Sequence, residues 1–351
     1  MKIYFSLLFI FLLNIPLIQA ENLQKKQTKI IEKRFEVNSD ATLAIHNKYG
    51  NINLQTWEKN EIAFHIEIRV KGNKSDKVKE RLNSISVDFS ANPKKVSAST
   101  NIQKLGFFNR RNNAEFSIVY TVKLPKTNHV SLTNEYGNIS IDELFGNSAV
   151  ILEYGNLNIE KLNSPTNDFQ LKYVSQANID EVKKANINAS YTKVNIGNTE
   201  NLFFKSKYTD LKINTISTLD AKMNYGSLHI EKANQMNIES EYTQIKIGSL
   251  IRKLNTINGY GSLVISELKK DFEEVSIKTK YTNVSLGVKS DVGYKLNADI
   301  SYGKLQYPSN LSFDKQIKKN TQQIYSGQTK NSSGKISLEM KYGNSKIKLI
   351  P

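Results

Sequence analysis

The strongest constraint on this chain is a short phrase that it repeats: a tyrosine, a small or turn-forming residue, one spacer, then two apolar residues separated by one. It reads KYGNINL at 48–54, EYGNISI at 135–141, EYGNLNI at 153–159, SYTKVNI at 190–196, KYTDLKI at 207–213, NYGSLHI at 224–230, EYTQIKI at 241–247, GYGSLVI at 259–265, KYTNVSL at 280–286 and SYGKLQY at 301–307. Looser copies sit at Tyr173 and Tyr342. From Tyr136 to Tyr302 successive tyrosines lie 17 to 21 residues apart, a spacing that suits one solenoid coil per repeat.

Within a repeat the apolar residues alternate. Leu202, Phe204 and Tyr208 precede the turn and Leu211, Ile213 and Ile216 follow it; Met236, Ile238, Tyr242, Ile245, Ile247 and Leu250 repeat the pattern. Side chains two apart in a strand share a face, so each unit reads as strand, tight corner, strand, with these residues facing inward. No single unit can bury its own apolar face. About ten stacked units give a rod on the order of 50 Å long with one continuous core. The expected fold is therefore all-β: a parallel β-helix or solenoid of about ten coils of 17–21 residues, with an N-terminal β-rich capping region. A coil built from two units, about 35 residues round, stays open, because glycine and threonine alternate after the tyrosine from Tyr208 to Tyr302.

The tyrosines Tyr136, Tyr154, Tyr173, Tyr191, Tyr208, Tyr225, Tyr242, Tyr260, Tyr281 and Tyr302 are expected to close the inward-facing column before each corner and to stack as an aromatic ladder. The alternative is an exposed stripe that grips sugars or bases. Glycine follows at Gly50, Gly137, Gly155, Gly226, Gly261, Gly303 and Gly343, fitting a corner with positive φ or close approach of the next coil. Threonine takes the place at Thr192, Thr209, Thr243 and Thr282, and a β-branched residue resists positive φ.

The chain divides accordingly. Residues 1–20, with Lys2 and then an apolar run to Ile18, read as a cleavable secretory signal, interrupted by Asn14 and Pro16 and ending at Ala20. Residues 21–129 form a β-rich lead-in with one copy of the phrase and one short helix, which Ser75 is placed to cap. The stretch 104–113, with Phe107, Phe108, Arg110 and Arg111, reads as a surface loop or hairpin tip. Residues 130–307 hold the repeats, 308–334 a basic polar loop or degenerate coil, and 335–351 a final strand pair that closes the stack.

The chain has no cysteine, which excludes disulfides, zinc–thiolate sites and cysteine nucleophiles. Its formal net charge of +16 favours anionic partners or solubility. His46, His65, His129 and His229 are far apart and form no metal-ligand spacing. No nucleophile elbow, phosphate loop or calcium loop occurs, and no cofactor or metal is expected. Asp210, Asp220, Glu231, Glu239 and Glu241 are near in repeat space and could gather as in a carbohydrate-active β-helix enzyme on acidic polysaccharide. Lysines outnumber them at matching positions. Lys193, Lys205, Lys207, Lys212, Lys222 and Lys246 form the candidate polymer-contact surface, where many weak contacts act together on a linear anionic polymer. Charge alone allows nucleic acid, but an exported chain without a recognisable binding module argues against it, and no later stretch is apolar enough to span a bilayer as a helix.

The passages LAIHNKYGNINLQTW at 43–57 and YTVKLPKTNHVSLTNEYGNISI at 120–141, with the serial tyrosine-glycine strands, resemble the bacterial putative-adhesin family of β-strand-repeat envelope proteins, common in Bacteroidetes. The resemblance spans nearly all of the chain after the signal. It implies a β-solenoid, adhesin-like protein of the periplasm or cell surface, without a known catalytic residue, that contacts envelope or extracellular polymers such as anionic polysaccharide. The threonine corners and the 308–334 interruption depart from the simplest pattern of that family.

Overall fold

A computed structural model describes residues 24–105, 114–330 and 332–351. The signal segment 1–20 and the tip of the 104–113 loop lie outside the described residues. The rest is almost entirely strand, joined in one 19-stranded, mostly parallel sheet that winds into a solenoid.

Parallel registers define the coil. Strand β10 (Ser148–Leu162) pairs in parallel with β11 (Asn167–Ser190), and β11 with β12 (Lys193–Leu268), where Ala177 faces Val194 and Ile187 faces Phe204. The 17-residue offset equals one repeat, so a single unit makes a coil and the two-unit alternative falls. Strand β12 runs unbroken through the corners at Tyr208, Tyr225, Tyr242 and Tyr260. Inward residues such as Leu211, Ile213, Leu228, Ile230, Ile245 and Ile247 are all but fully buried. Each such side chain contributes about 1.5–3 kcal/mol by leaving water, and the column is continuous from end to end.

Both ends are built alike, and differently from the expectation. At the start, β2 (Thr42–Lys48) and β3 (Ile52–Trp57) form a coil that lies between two others. On one side it pairs in parallel with β8 (His129–Glu135) and β9 (Ile139–Leu144), on the other with β6 (Lys95–Ile102) and β7 (Glu115–Pro125). Part of the lead-in thus joins the stack as coils, and the rest caps it. The capping is antiparallel: β5 (Ile85–Asn92) on β6, β4 (Glu61–Gly72) on β7, and β1 (Lys25–Glu36) on β4. Antiparallel pairing turns the sheet away from further parallel growth, and the outermost strand β1 carries Lys25, Lys26, Lys29, Lys33 and Arg34, charges that discourage edge-to-edge association. The helix α1 (Ser75–Asn83) covers the core end with fully buried Val78. Ser75 is its first residue rather than its cap; Lys74 holds the cap position, without a side-chain capping bond.

At the other end β13 (Glu274–Lys289) is followed by β14 (Tyr294–Ser301) and β15 (Leu305–Gln306). The last strands, β18 (Gly334–Lys341) and β19 (Ser345–Ile350), do not close the stack: they slide between those two coils, pairing in parallel with β13 on one side and with β14 and β15 on the other. The 308–334 stretch, expected as a loop or degenerate coil, supplies the closure. Its β16 (Ser312–Lys318) and β17 (Gln322–Gln328) form a hairpin, with β17 antiparallel to β14. Tyr307, Phe313 and Tyr325 pack ring to ring beneath it, the counterpart of Phe35, Phe64 and Phe89 at the start. Alternation of apolar residues is too short-lived in 308–334 to reveal a hairpin from sequence.

Candidate binding surface

The corner of each ladder coil is made by a tyrosine in the left-handed region. Twelve tyrosines, Tyr49, Tyr342 and the ten from Tyr136 to Tyr302, have φ between 51° and 61°. A left-handed residue reverses the in–out alternation, so the ring that should have ended the inward column is turned outward. The tyrosines are 37–55% exposed, a correction to the inward placement expected from the alternation. The left-handed turn costs a non-glycine residue about 1–2 kcal/mol. Stacking opposes this cost. Successive rings lie nearly parallel with centroids 4.7–5.2 Å apart from Tyr49 through Tyr281, then Tyr342, then Tyr302. Each such pair is worth about 0.5–1.5 kcal/mol beyond area burial.

The stack also decides what the ladder can offer a ligand. Interior rings have both faces covered by their neighbours, so face-on stacking of a sugar or base is blocked and only ring edges reach solvent. Lysines lie close beside several rings: Lys172 over Tyr173 at 5.5 Å, Lys280 over Tyr281 at 5.6 Å and Lys341 over Tyr342 at 5.4 Å.

The glycine after the tyrosine answers to close approach rather than to a left-handed turn. A Cβ at Gly137 would sit 1.8 Å from the Gly50 carbonyl oxygen, and one at Gly155 2.1 Å from that of Gly137. Only Gly226 has positive φ, at 148°. At the other corners Thr192, Thr209, Thr243 or Thr282, or Val174 after Tyr173, points inward and is buried.

Two flat faces flank the ladder. On the face before the tyrosines, Lys205 lies beside Asn188 and Lys207 beside Ser190, while Lys222 and other lysines of this face pair with carboxylates from neighbouring coils. Lys222 pairs with Glu239 at 2.8 Å, Lys172 with Glu153 at 3.0 Å, Lys48 with Glu135 at 2.6 Å and Lys278 with Glu339 at 2.7 Å. On the face after the tyrosines, asparagines form a row: Asn178 donates to the Asn158 side-chain oxygen and Asn195 to that of Asn178, both at 3.0 Å. The repeat carries the same column on through Lys212, His229 and Lys246, with Lys193 beside it. The six candidate lysines therefore divide between two faces, three on each, and do not make one continuous basic strip.

The candidate carboxylates divide in the same way. Asp220, Glu239 and Glu241 lie before the tyrosines, Asp210 and Glu231 after them. Asp210 accepts a hydrogen bond from Ser227 at 2.6 Å. Glu231 lies 2.7 Å from the His229 ring, and that hydrogen bond, with Lys212 and Lys246 nearby, holds its carboxyl below the usual range. The other carboxylates whose pKa moves, Glu67, Glu267 and Glu273, also move down, each because of a basic neighbour. A glycosidase general acid needs the opposite shift. Among the described residues no group of three or more His, Asp or Glu side chains could hold a metal ion.

No protein-family model and no curated protein matches the chain. Several solved structures do. One is described as a putative adhesin from Parabacteroides distasonis, 11% identical, covering 74% of this chain and 97% of that one at a TM-score of 0.41. A putative adhesin from Parabacteroides merdae is 14% identical, covering 74% and 96% at 0.36. A putative lipid binding protein from Parabacteroides distasonis is 10% identical, covering 73% and 96% at 0.34. The adhesin names agree with the resemblance carried by 43–57 and 120–141.

Proposed function

We propose that this is an exported, non-enzymatic, adhesin-like solenoid that holds a linear polymer of the cell envelope or its surroundings along the rod through many weak, evenly spaced contacts. The observation that carries the reading is the column Asn158, Asn178, Asn195, Lys212, His229, Lys246. It presents hydrogen-bond donors or cations at six successive coils, about 4.8 Å apart. Repetition of this kind suits avidity, in which no single contact need be strong. An anionic polysaccharide is the partner that Lys193, Lys212 and Lys246 favour. Among the described residues no helix is long and apolar enough to cross a membrane.

The test is retention of the purified chain on immobilised acidic and neutral polysaccharides at low and physiological salt. Retention by an acidic polymer at physiological salt, lost in a Lys212→Glu, Lys246→Glu double variant and kept in Lys205→Glu, Lys207→Glu, is the expected result. Equal loss in both variants, or none in either, overturns the assignment of that face. Depolymerisation of the acidic polymer, lost on replacing one carboxylate, would favour the enzyme reading instead.

A further inference from the structure

One coil interrupts the otherwise crowded face before the tyrosines. At the position directly before the ladder tyrosine every coil carries a side chain except the Tyr260 coil, which has Gly259. Two residues earlier the same coil carries Ile257, 54% exposed where neighbouring coils carry Glu239 and Lys278. The result is a trough of about 550 Å³ across the face, floored by Ile257, Gly259 and the Tyr260 edge.

The strands that flank this floor carry opposite charge, with Lys222 beyond the glutamates and, beyond the lysines, Glu339 and Asp299, which accepts a hydrogen bond from Gln322 at 2.9 Å. On one side stand Glu239 and Glu241; the Glu241 carboxylate leans so far over the floor that a Cβ at Gly259 would lie 2.9 Å from its Oε1. On the other stand Lys278 and Lys280, aligned with Ile257 and Gly259 by the parallel register, with Lys341 next to Lys280 in the following coil. The two walls are two strand spacings, about 10 Å, apart. The outer groups are already engaged: Glu239 with Lys222 at 2.8 Å and Lys278 with Glu339 at 2.7 Å. Among the described residues Glu241, Lys280 and Lys341 are in no ion pair. A single carboxylate thus faces two lysines across an aliphatic floor.

We propose that this trough is a subsite for a zwitterionic saccharide: an amino sugar whose ammonium meets Glu241, linked to an acidic sugar whose carboxylate meets Lys280 and Lys341, with the C–H face of the rings on Ile257. The choice of a saccharide rests on the polymer-binding reading above; the charge pattern and the apolar floor belong to the trough itself. Each charge-assisted contact is of the stronger class of hydrogen bond. A neutral or singly charged sugar leaves one wall unanswered, which makes the site selective as well as adhesive.

The experiment is calorimetric titration of the full chain with three probes: a glucosamine–glucuronic acid disaccharide with a free amine, its N-acetylated form, and its carboxyl-reduced form. The free-amine disaccharide should bind, and each modified form should bind about tenfold or more weakly, the weight of one charge-assisted hydrogen bond. Gly259→Gln fills the floor and meets only the movable end of Glu241, so the coil is kept while binding is lost. Lys280→Glu should lose binding, Glu241→Gln should lose the preference for the free amine, and Lys205→Glu, away from the trough, should change nothing. Equal binding of all three probes, binding indifferent to Gly259→Gln, or no binding of the zwitterion overturns the proposal. Retention on polymers in the absence of disaccharide binding would sink the trough alone and leave the wider reading standing.

Discussion

The Thr209 hydroxyl donates a hydrogen bond of 3.0 Å to the carbonyl oxygen of Lys207, spanning the left-handed Tyr208 between them. The same bond is made by Thr192 to Ser190 at 2.9 Å, Thr243 to Glu241 at 2.9 Å and Thr282 to Lys280 at 3.2 Å. Wherever threonine closes the corner in this way, the inward residue two places before the tyrosine is small: Ala189, Ser206, Ser240 and Thr279. Where glycine follows the tyrosine, that residue is asparagine at Asn47, Asn134 and Asn258 and larger at Leu152, Met223, Ile300 and Met340. Threonine with a small partner and glycine with a large one fill the same space at the corner, as a densely packed interior requires.

This compensation can be measured at one corner. Ser206→Met alone should overpack and cost about 1–3 kcal/mol. Thr209→Gly alone should lose a hydrogen bond and a buried methyl, costing about 1–3 kcal/mol. The double variant should cost at least about 1 kcal/mol less than the sum, because methionine fills what threonine vacates. The Ser206 hydroxyl has no hydrogen-bond partner, so its removal leaves no orphaned group. Strict additivity in a urea denaturation cycle would show that the two positions do not share space.

The tyrosine ladder predicts an inverted ranking of two small residues. Tyr225→Ala removes stacks of 4.8 Å to both Tyr208 and Tyr242 while keeping a side chain at φ 58°, and should cost about 1–3 kcal/mol. Tyr225→Gly removes the same stacks but relieves the left-handed backbone, recovering about 1 kcal/mol. Glycine is ordinarily the worse residue within a strand. An alanine variant as stable as the glycine variant, by denaturation and by amide exchange at residues 224–227, would contradict the account of the corner.

Alkaline pH should unfold the rod from its buried phenols. Burial pushes Tyr294, whose hydroxyl has no partner, up to about 12, and Tyr120 also to about 12 against the opposing hydrogen bond with Thr100. In the unfolded chain these groups titrate near pH ~10. The folded state holds the proton more tightly, so this contribution to stability is complete below pH ~10 and is lost as pH rises toward about 12. Phenolate absorbance should show Tyr242 titrating above the ordinary phenol value, because of desolvation and then its neighbours Tyr260 and Tyr225. A final group should ionise only together with loss of β-sheet circular dichroism. Ionisation of every tyrosine in one transition with the sheet intact would refute the burial of Tyr120 and Tyr294.

The coil was legible because its signal is periodic: a tyrosine every 17 to 21 residues with apolar residues at fixed offsets fixes the inward columns, from Leu211 and Ile213 to Val284 and Leu286. The direction of the tyrosine was not, because alternation counts forward from Phe204 to place Tyr208 inward, and one left-handed residue cancels that count. A clue was present in Thr192, Thr209, Thr243 and Thr282. If threonine cannot take positive φ after the tyrosine, the turn must reside in the residue that never varies. The charge pattern misled in a similar way: Lys205 and Lys246 resemble one another in sequence, but the corner sends them to different faces. The trough at Gly259 could be found by aligning the repeats, where it is the lone glycine before a ladder tyrosine.

The two ends of the rod have a consequence for how such a chain can lengthen. The coil of β18 and β19, made last, lies inside that of β14 and β15, and the coil of β2 and β3, made first among the coils, lies inside that of β6 and β7. Neither the first nor the last coil in chain order is the outermost coil of the stack, so copying or deleting either one would disturb the interior instead of adding or removing a coil at the tip. Only the run between Tyr136 and Tyr281, where chain order and stacking order coincide, can gain or lose whole repeats. A lineage of such rods should vary in length through its middle and keep both tucked ends.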